Sequence, residues 1–149
     1  MSIGEICVRN VVCAGRDATV MEAAALMREH HVGGVIIVDP AQDGRIPVGI
    51  VTDRDIVVET VAAGVDPQSV RVGDLLKRPI ATVTEDMGYA ETISKMSVAG
   101  VRRMPVVDHR GLLVGIIALD DLLRQLASPL AAVSELAGRG RHYETQTRR

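Results

Sequence analysis

Val48-Gly49-Ile50-Val51-Thr52-Asp53-Arg54-Asp55-Ile56 and Val114-Gly115-Ile116-Ile117-Ala118-Leu119-Asp120-Asp121-Leu122 are two versions of one pattern. In each, a β-branched run reads as a short strand, and an acidic stretch after it reads as a helix start. Thr52-x-x-Asp55 is a capping signature for the first of those helices. The two stretches are related by an offset of 66.

Upstream, residues 3 to 39 align with 72 to 108 at a constant offset of 69. Gly4 meets Gly73, Arg9 meets Arg78, Asp17 meets Asp86, Glu22 meets Glu91, Met27 meets Met96 and Asp39 meets Asp108. The offset falls because the loop Pro40 to Pro47 is three residues longer in the first copy. Order and spacing hold over nearly the whole chain, so the chain is an internal duplication.

Each copy reads alike. Val11-Val12-Cys13 or Ile80-Ala81-Thr82-Val83 is the opening strand. Val20, Ala23, Ala24 and Met27 form the i, i+3, i+4, i+7 stripe of a half-buried helix, matched by Tyr89, Ile93 and Met96. Thr19 and Glu22 make a capping box, whereas the second copy has Gly88 at the cap and keeps Glu91. Val35 to Val38 and Met104 to Val107 then run into turns at Gly44 and Gly111, and each return strand completes a hairpin. The fold class is therefore α/β (mixed α+β): two tandem β-α-β-β-α units of pseudo-two-fold symmetry, with a C-terminal helix. Gly64-Val65-Asp66-Pro67 breaks the chain between them. The expected units are 7–65 and 76–132, with 133–149 the end of the last helix and a polar basic tail. Ser128 as N-cap and Pro129 at the first helical position start that last helix, which ends near Gly138.

Composition narrows the function. The chain has 149 residues, 47% hydrophobic and 24% charged, which suits one folded body rather than a disordered chain. Tyr89 and Tyr143 are its only aromatics, so a single-strand nucleic-acid binder built on stacking rings is disfavoured. Charged residues interrupt every apolar run, so no membrane span is expected. The first residues, Met1-Ser2-Ile3-Gly4-Glu5, do not read as a secretion signal. Cys7 and Cys13 are too few for a disulfide framework, and the cytoplasm is the expected location. Residues 1 to 137 carry 13 Lys and Arg against 18 Asp and Glu, while the last twelve carry four arginines against Glu144. That basic tail is either a solvated end or a contact for nucleic acid or another subunit. His30 and His31 are neighbours and point apart on a helix, and the four histidines show no metal-ligand spacing. No GxSxG, HExxH or P-loop motif is present, so no enzyme is expected.

The duplicated Gly-apolar-apolar-x-x-x-Asp motif, with Val101-Arg102-Arg103-Met104-Pro105-Val106-Val107-Asp108, resembles a pair of cystathionine-β-synthase (CBS) domains, a Bateman module. The resemblance covers about residues 3 to 127, and a stand-alone module is the expectation. It implies two clefts between the copies that hold an adenosine compound (AMP, ADP, ATP, NAD or S-adenosylmethionine), a disc-like homodimer, and a regulated protein partner not yet identified. The resemblance places Asp55 at the ribose position, where a carboxylate accepts both hydroxyls of the diol. Thr52 and Arg54 lie beside it for a phosphate, and Asp121 is the second copy's carboxylate. The same oxygens of Thr52 and Asp55 also serve as a helix cap, so the two roles compete. Ala118 stands where the first copy has Thr52, so the Asp55 site is expected to be the better formed. Arg102 and Arg103 are either phosphate partners or surface charges. Val12, Cys13 and Thr82 are candidate walls for the base, and plain core otherwise. The resulting function is an adenosine-ligand sensor acting through conformation or partner binding. The alternative is a non-catalytic homodimeric scaffold whose clefts are empty or degenerate.

Overall fold

The apolar rows of each copy close into a three-stranded mixed sheet with a helix on it. The computed structural model describes residues 2–147, and their side chains except for Ser128 and 137–147. In the first copy β1 (Cys13–Gly15) lies parallel to β2 (Gly34–Ala41), which lies antiparallel to β3 (Gly44–Thr52). In the second, β4 (Val83–Thr84) lies parallel to β5 (Arg103–Val107), which lies antiparallel to β6 (Leu113–Ala118). A bulge interrupts the antiparallel register between Ile37 and Val38, and another between Val106 and Val107. Those positions differ by 69 residues, so even the irregularity of the sheet is duplicated.

A short helix, α1 (Ile3–Ile6), precedes β1. The helices α2 (Val20–His30) and α4 (Tyr89–Ala99) connect the parallel strands. Thr19 and Glu22 form the reciprocal cap of α2: Glu22 N–H donates to Thr19 Oγ1 at 3.1 Å, and Thr19 N–H donates to Glu22 Oε2 at 2.6 Å. At Gly88 no side chain caps α4. Both helices end in a left-handed residue, His31 at φ 53° and Gly100 at φ 65°, from which the chain turns into the next strand.

The packing crosses the duplication. Ile3 N–H donates to Met87 O at 3.0 Å and Gly4 N–H to Glu85 O at 2.8 Å. At the equivalent positions, Val72 N–H donates to Ala18 O at 2.8 Å and Gly73 N–H to Arg16 O at 3.0 Å. The strap at the head of the chain therefore seals the second sheet, and the strap between the copies (a 3₁₀ turn, Val72–Leu75) seals the first. Ile3 and Val72 are fully buried, each in the core reached by its strap. Each such burial stabilises the fold by roughly 1.5–3 kcal/mol. Ile6 and Cys7 pack in the second core, and Val70, Leu75 and Leu76 in the first.

Three expectations change. The opening strands start later, at Cys13 and Val83, because pairing with β2 and β5 begins only there. Val11 and Val12 precede the paired residues, with Val12 O accepting from Ile36 N–H at 3.0 Å. At the C-terminus no new helix starts at Ser128, and none ends near Gly138. A single helix, α5, runs from Leu119 to Thr147 with Pro129 inside it. Proline lacks the donor for one intrahelical bond, and here the flanking turns carry the helix across that gap. The expected basic tail is thus helical as far as Thr147, while Arg148 and Arg149 lie outside the described residues.

Candidate functional site

Crossed straps leave two clefts between the copies, and each is walled by both. The larger, of about 430 Å³, takes Gly49, Ile50 and Asp55 from the first copy, the strap from Leu75 to Ala81, and Val101, Arg103 and Pro105 from the second. The smaller, of about 280 Å³, takes Arg103, Ile116, Ala118 and Asp121 from the second copy, with Val8, Asn10, Val11, Val12, Val32, Gly33, Gly34 and Ile36 from the first. Under the offsets of 69 and 66 most of these linings are equivalent residue for residue. A pseudo-two-fold axis thus relates the clefts. The larger volume lies within the usual range for small-molecule pockets and the smaller just below it.

The two carboxylates are not in equivalent states. Asp55 ends the first turn of α3 (Asp53–Ile56), which continues as a wider π turn over Val57–Val61. Its Oδ2 accepts from Thr52 N–H and Thr52 Oγ1–H, both at 2.8 Å, and Asp55 N–H donates to Thr52 Oγ1 at 3.3 Å. The cap uses one oxygen. No hydrogen bond from the described residues reaches Oδ1. In the smaller cleft Ala118 has no hydroxyl to give, and Asp121 Oδ2 accepts from Ala118 N–H at 2.9 Å. Its Oδ1 is taken by the Arg124 guanidinium. Asp121 is therefore buried and satisfied on both oxygens, while Asp55 keeps one free.

Arg103 joins the clefts. It lines both, and its guanidinium rests on the Gly33–Gly34 backbone of the first copy. A Cβ at Gly34 would stand 3.0 Å from Arg103 Nη1, and one at Gly33 would stand 3.4 Å away. The glycines lack the arginines of the second copy and instead form the seat for one of them. The other sequence-derived candidates divide. Val12 and Asp121 line the smaller cleft, and Asp55 the larger. Thr52 sits behind Asp55 as its cap. Arg54 and Arg102 are exposed and lie on neither lining, nor do Cys13 and Thr82. Burial pushes the Cys13 and Cys7 thiols above their ordinary values, so neither presents a ready thiolate. Lys77 and Arg78 are lining residues that reading the motifs alone missed. Their signal was the repeat itself, which sets Arg78 opposite Arg9.

A CBS domain family model matches residues 3–61 and again 72–128. The chain belongs to the CBS domain family. This CBS pair is 39% identical over 117 residues to Hypoxic response protein 1 of Mycobacterium tuberculosis, covering 78% of each chain. It is 32% identical over 135 residues to the CBS domain-containing protein YhcV of Bacillus subtilis, covering 91% of this chain and 92% of that one. Among solved structures it resembles the CBS domain pair of protein MJ0100, in complex with 5′-methylthioadenosine and S-adenosyl-L-methionine. That match has a TM-score of 0.73 and 26% identity, covering 87% and 98% of the two chains. The structure of Hypoxic Response Protein I carries two coordinated zinc ions and matches with a TM-score of 0.71 and 35% identity over 83% and 98%. In the CBS pair, no three His, Cys, Asp or Glu side chains among the described residues gather as a metal-binding group. No helix among them is long and apolar enough to cross a membrane.

Proposed function

We propose that the CBS pair is a non-catalytic sensor that binds an adenosine-containing ligand in the larger cleft. The observation that carries this reading is the free Oδ1 of Asp55, in a cleft walled by both copies. A ribose diol needs an acceptor, and a carboxylate with one oxygen fixed by its cap presents the other in a defined direction. A ligand held between the copies also changes the free energy of their relative arrangement. That is how occupancy shifts a conformational equilibrium or the affinity for a protein partner. The relative crystallised with methylthioadenosine and S-adenosylmethionine supports the ligand class. A second copy of the chain completes the reading as a homodimer. Leu119, Leu123, Leu126, Leu130 and Val133 follow one another on α5 at intervals of four and three residues, and all are exposed. That spacing is the seam by which helices pair.

Thermal-shift and calorimetric titrations with AMP, ADP, ATP, NAD and S-adenosylmethionine test the sensor. Ligand at ~100 times its dissociation constant stabilises the native state by ~2.7 kcal/mol. Asp55→Ala is expected to weaken binding by at least ~10-fold, equivalent to ~1.4 kcal/mol. Unchanged affinity with a lowered melting temperature would make Asp55 a cap only and overturn the assignment. No shift with any ligand, in protein free of carried-over nucleotide, would favour the scaffold with empty clefts.

A further inference from the structure

We infer that the π turn over Val57–Val61 is a register switch worked from the larger cleft: Lys77, tied to Glu59, holds the turn in its π form, and a ligand that displaces Lys77 lets the turn return to α-helix. This rests on the adenosine reading above and adds to it which part of the chain moves when the cleft is occupied.

The π form is rare and is found mostly as single turns at functional sites. Here Ala62 N–H donates to Val57 O at 2.9 Å and Val65 N–H to Thr60 O at 3.0 Å, so each bond spans five residues. Two side chains hold the turn. Thr60 is buried, and its Oγ1–H donates to Ile56 O at 2.6 Å. A hydroxyl that bonds back to the carbonyl four residues earlier bends a helix. Glu59 is ion-paired with Lys77. The second copy has neither hold. Under the offsets of 66 and 69, Glu59, Thr60 and Lys77 correspond to Gln125, Leu126 and Val8. There α5 runs through the equivalent stretch as unbroken α-helix. The repeat thus takes the α register where those three side chains are absent.

The tie reaches the cleft. Lys77 lines the larger one, as does Asp55, which lies on the helix that leads into the π turn. Leu75 and Leu76, next to Lys77 in the strap, pack in the same core as Ile56. Lys77 cannot keep its place on Glu59 and yield that place to a ligand, so occupancy favours one register over the other, which is the condition for a ligand to shift an equilibrium. Downstream there is room for the change. Residues 61 to 66 are all exposed, and Gly64 turns the chain at φ 67°. One residue of an α-helix subtends about 100°, so the α register re-aims Val61 and the chain after it by about that angle. Val57, Val58 and Val61 are exposed, and the switch therefore remodels an apolar patch outside the cleft.

Calorimetry with AMP, ADP, ATP, NAD and S-adenosylmethionine, and NMR of the isotopically labelled intact chain, test the switch. A ligand that binds is expected to move the amide resonances of Val57 to Val65 along with those of the cleft. Glu59→Gln is expected to move them in the same direction without ligand and to tighten binding by about two- to fivefold, the scale of one released surface ion pair. Thr60→Val keeps the shape and removes the hydroxyl, and is expected to do the same. Glu59 and Thr60 lie on neither cleft lining, and tighter binding is a result that loss of fold would not give. Binding that leaves residues 57 to 65 unmoved would overturn the switch and leave the adenosine reading standing. So would either variant binding no tighter than wild type. Failure of wild type to bind any of the five ligands would overturn both readings.

Discussion

Replacing Gly115 by alanine tests the crossed strap directly. Gly115 lies on β6 under the strap that comes from the head of the chain. An added Cβ would stand 2.6 Å from Cys7 Sγ, 3.1 Å from Val8 O and 3.3 Å from Cys7 Cβ. Non-bonded carbon contacts are comfortable at about 3.5–4.0 Å, so the strap must retreat by about 1 Å. It is not free to do so. Val8 N–H donates to Ile116 O, and Ile116 N–H to Val8 O, both at 2.9 Å. Overpacking of this kind costs about 1–3 kcal/mol, and each strained hydrogen bond adds about 0.5–1.5 kcal/mol if lost. A loss of about 3 kcal/mol is expected, which in a chain of this size lowers Tm by about 6–12 °C. Thermal and urea denaturation measure it. Gly15→Ala is the control, because a Cβ there meets nothing within 4 Å and its backbone is not left-handed. Adding Cys7→Ala to Gly115→Ala removes the nearest atom and is expected to show a coupling of at least about 0.5 kcal/mol. A Gly115→Ala protein within about 0.5 kcal/mol of wild type would refute the clamped strap, since that is the range of neutral surface changes.

Two further outcomes follow from the surface. Asp39, Glu22 and Asp108 all have carboxyls held below their ordinary values of 3.8, 4.5 and 3.8. The causes are the Arg16 guanidinium for Asp39, the Thr19 backbone N–H for Glu22 and the Leu112 backbone N–H for Asp108. A depressed carboxyl contributes stability that is complete above its unfolded value and is lost as pH falls through the folded one. Urea midpoints should therefore hold from neutrality to about pH 5 and fall below about pH 4.5, and Asp108→Asn should flatten part of that fall; an unchanged slope would remove Asp108 from the account. For the proposed homodimer, light scattering should give twice the chain mass of 15.9 kDa, and Leu130→Glu with Val133→Glu should return the monomer. A wild-type monomer at micromolar concentration would refute the α5 seam.

The features legible in the sequence are those that neighbouring residues decide. The capping boxes at Thr19–Glu22 and Thr52–Asp55 require only a hydroxyl and a carboxylate three residues apart, and both form as read. The offsets of 69 and 66 reveal the duplication because each copy repeats the same local pattern of apolar and turn residues. Asp55 and Asp121 stood out for the same reason. Ser128-Pro129 shows the limit of local signals, for it reads as a helix start and lies inside one.

Tertiary structure decided which copy each piece serves. Ile3 and Val72 occupy the same place in the repeat, and no local rule says that each seals the opposite sheet. The burial of their side chains and the strap hydrogen bonds settle it across 81 to 84 residues of chain for the first strap and 54 to 57 for the second. From that crossing comes the rest. Asp55 and Arg103 come from different copies to line the larger cleft, and the Gly33–Gly34 pair seats that arginine. Arg9 meets Glu85, while Arg16, which holds the place of Glu85 in the first copy, meets Asp39. The sequence contains every one of those charges. Their pairing depends on distances through space, which only the packing of the two sheets sets.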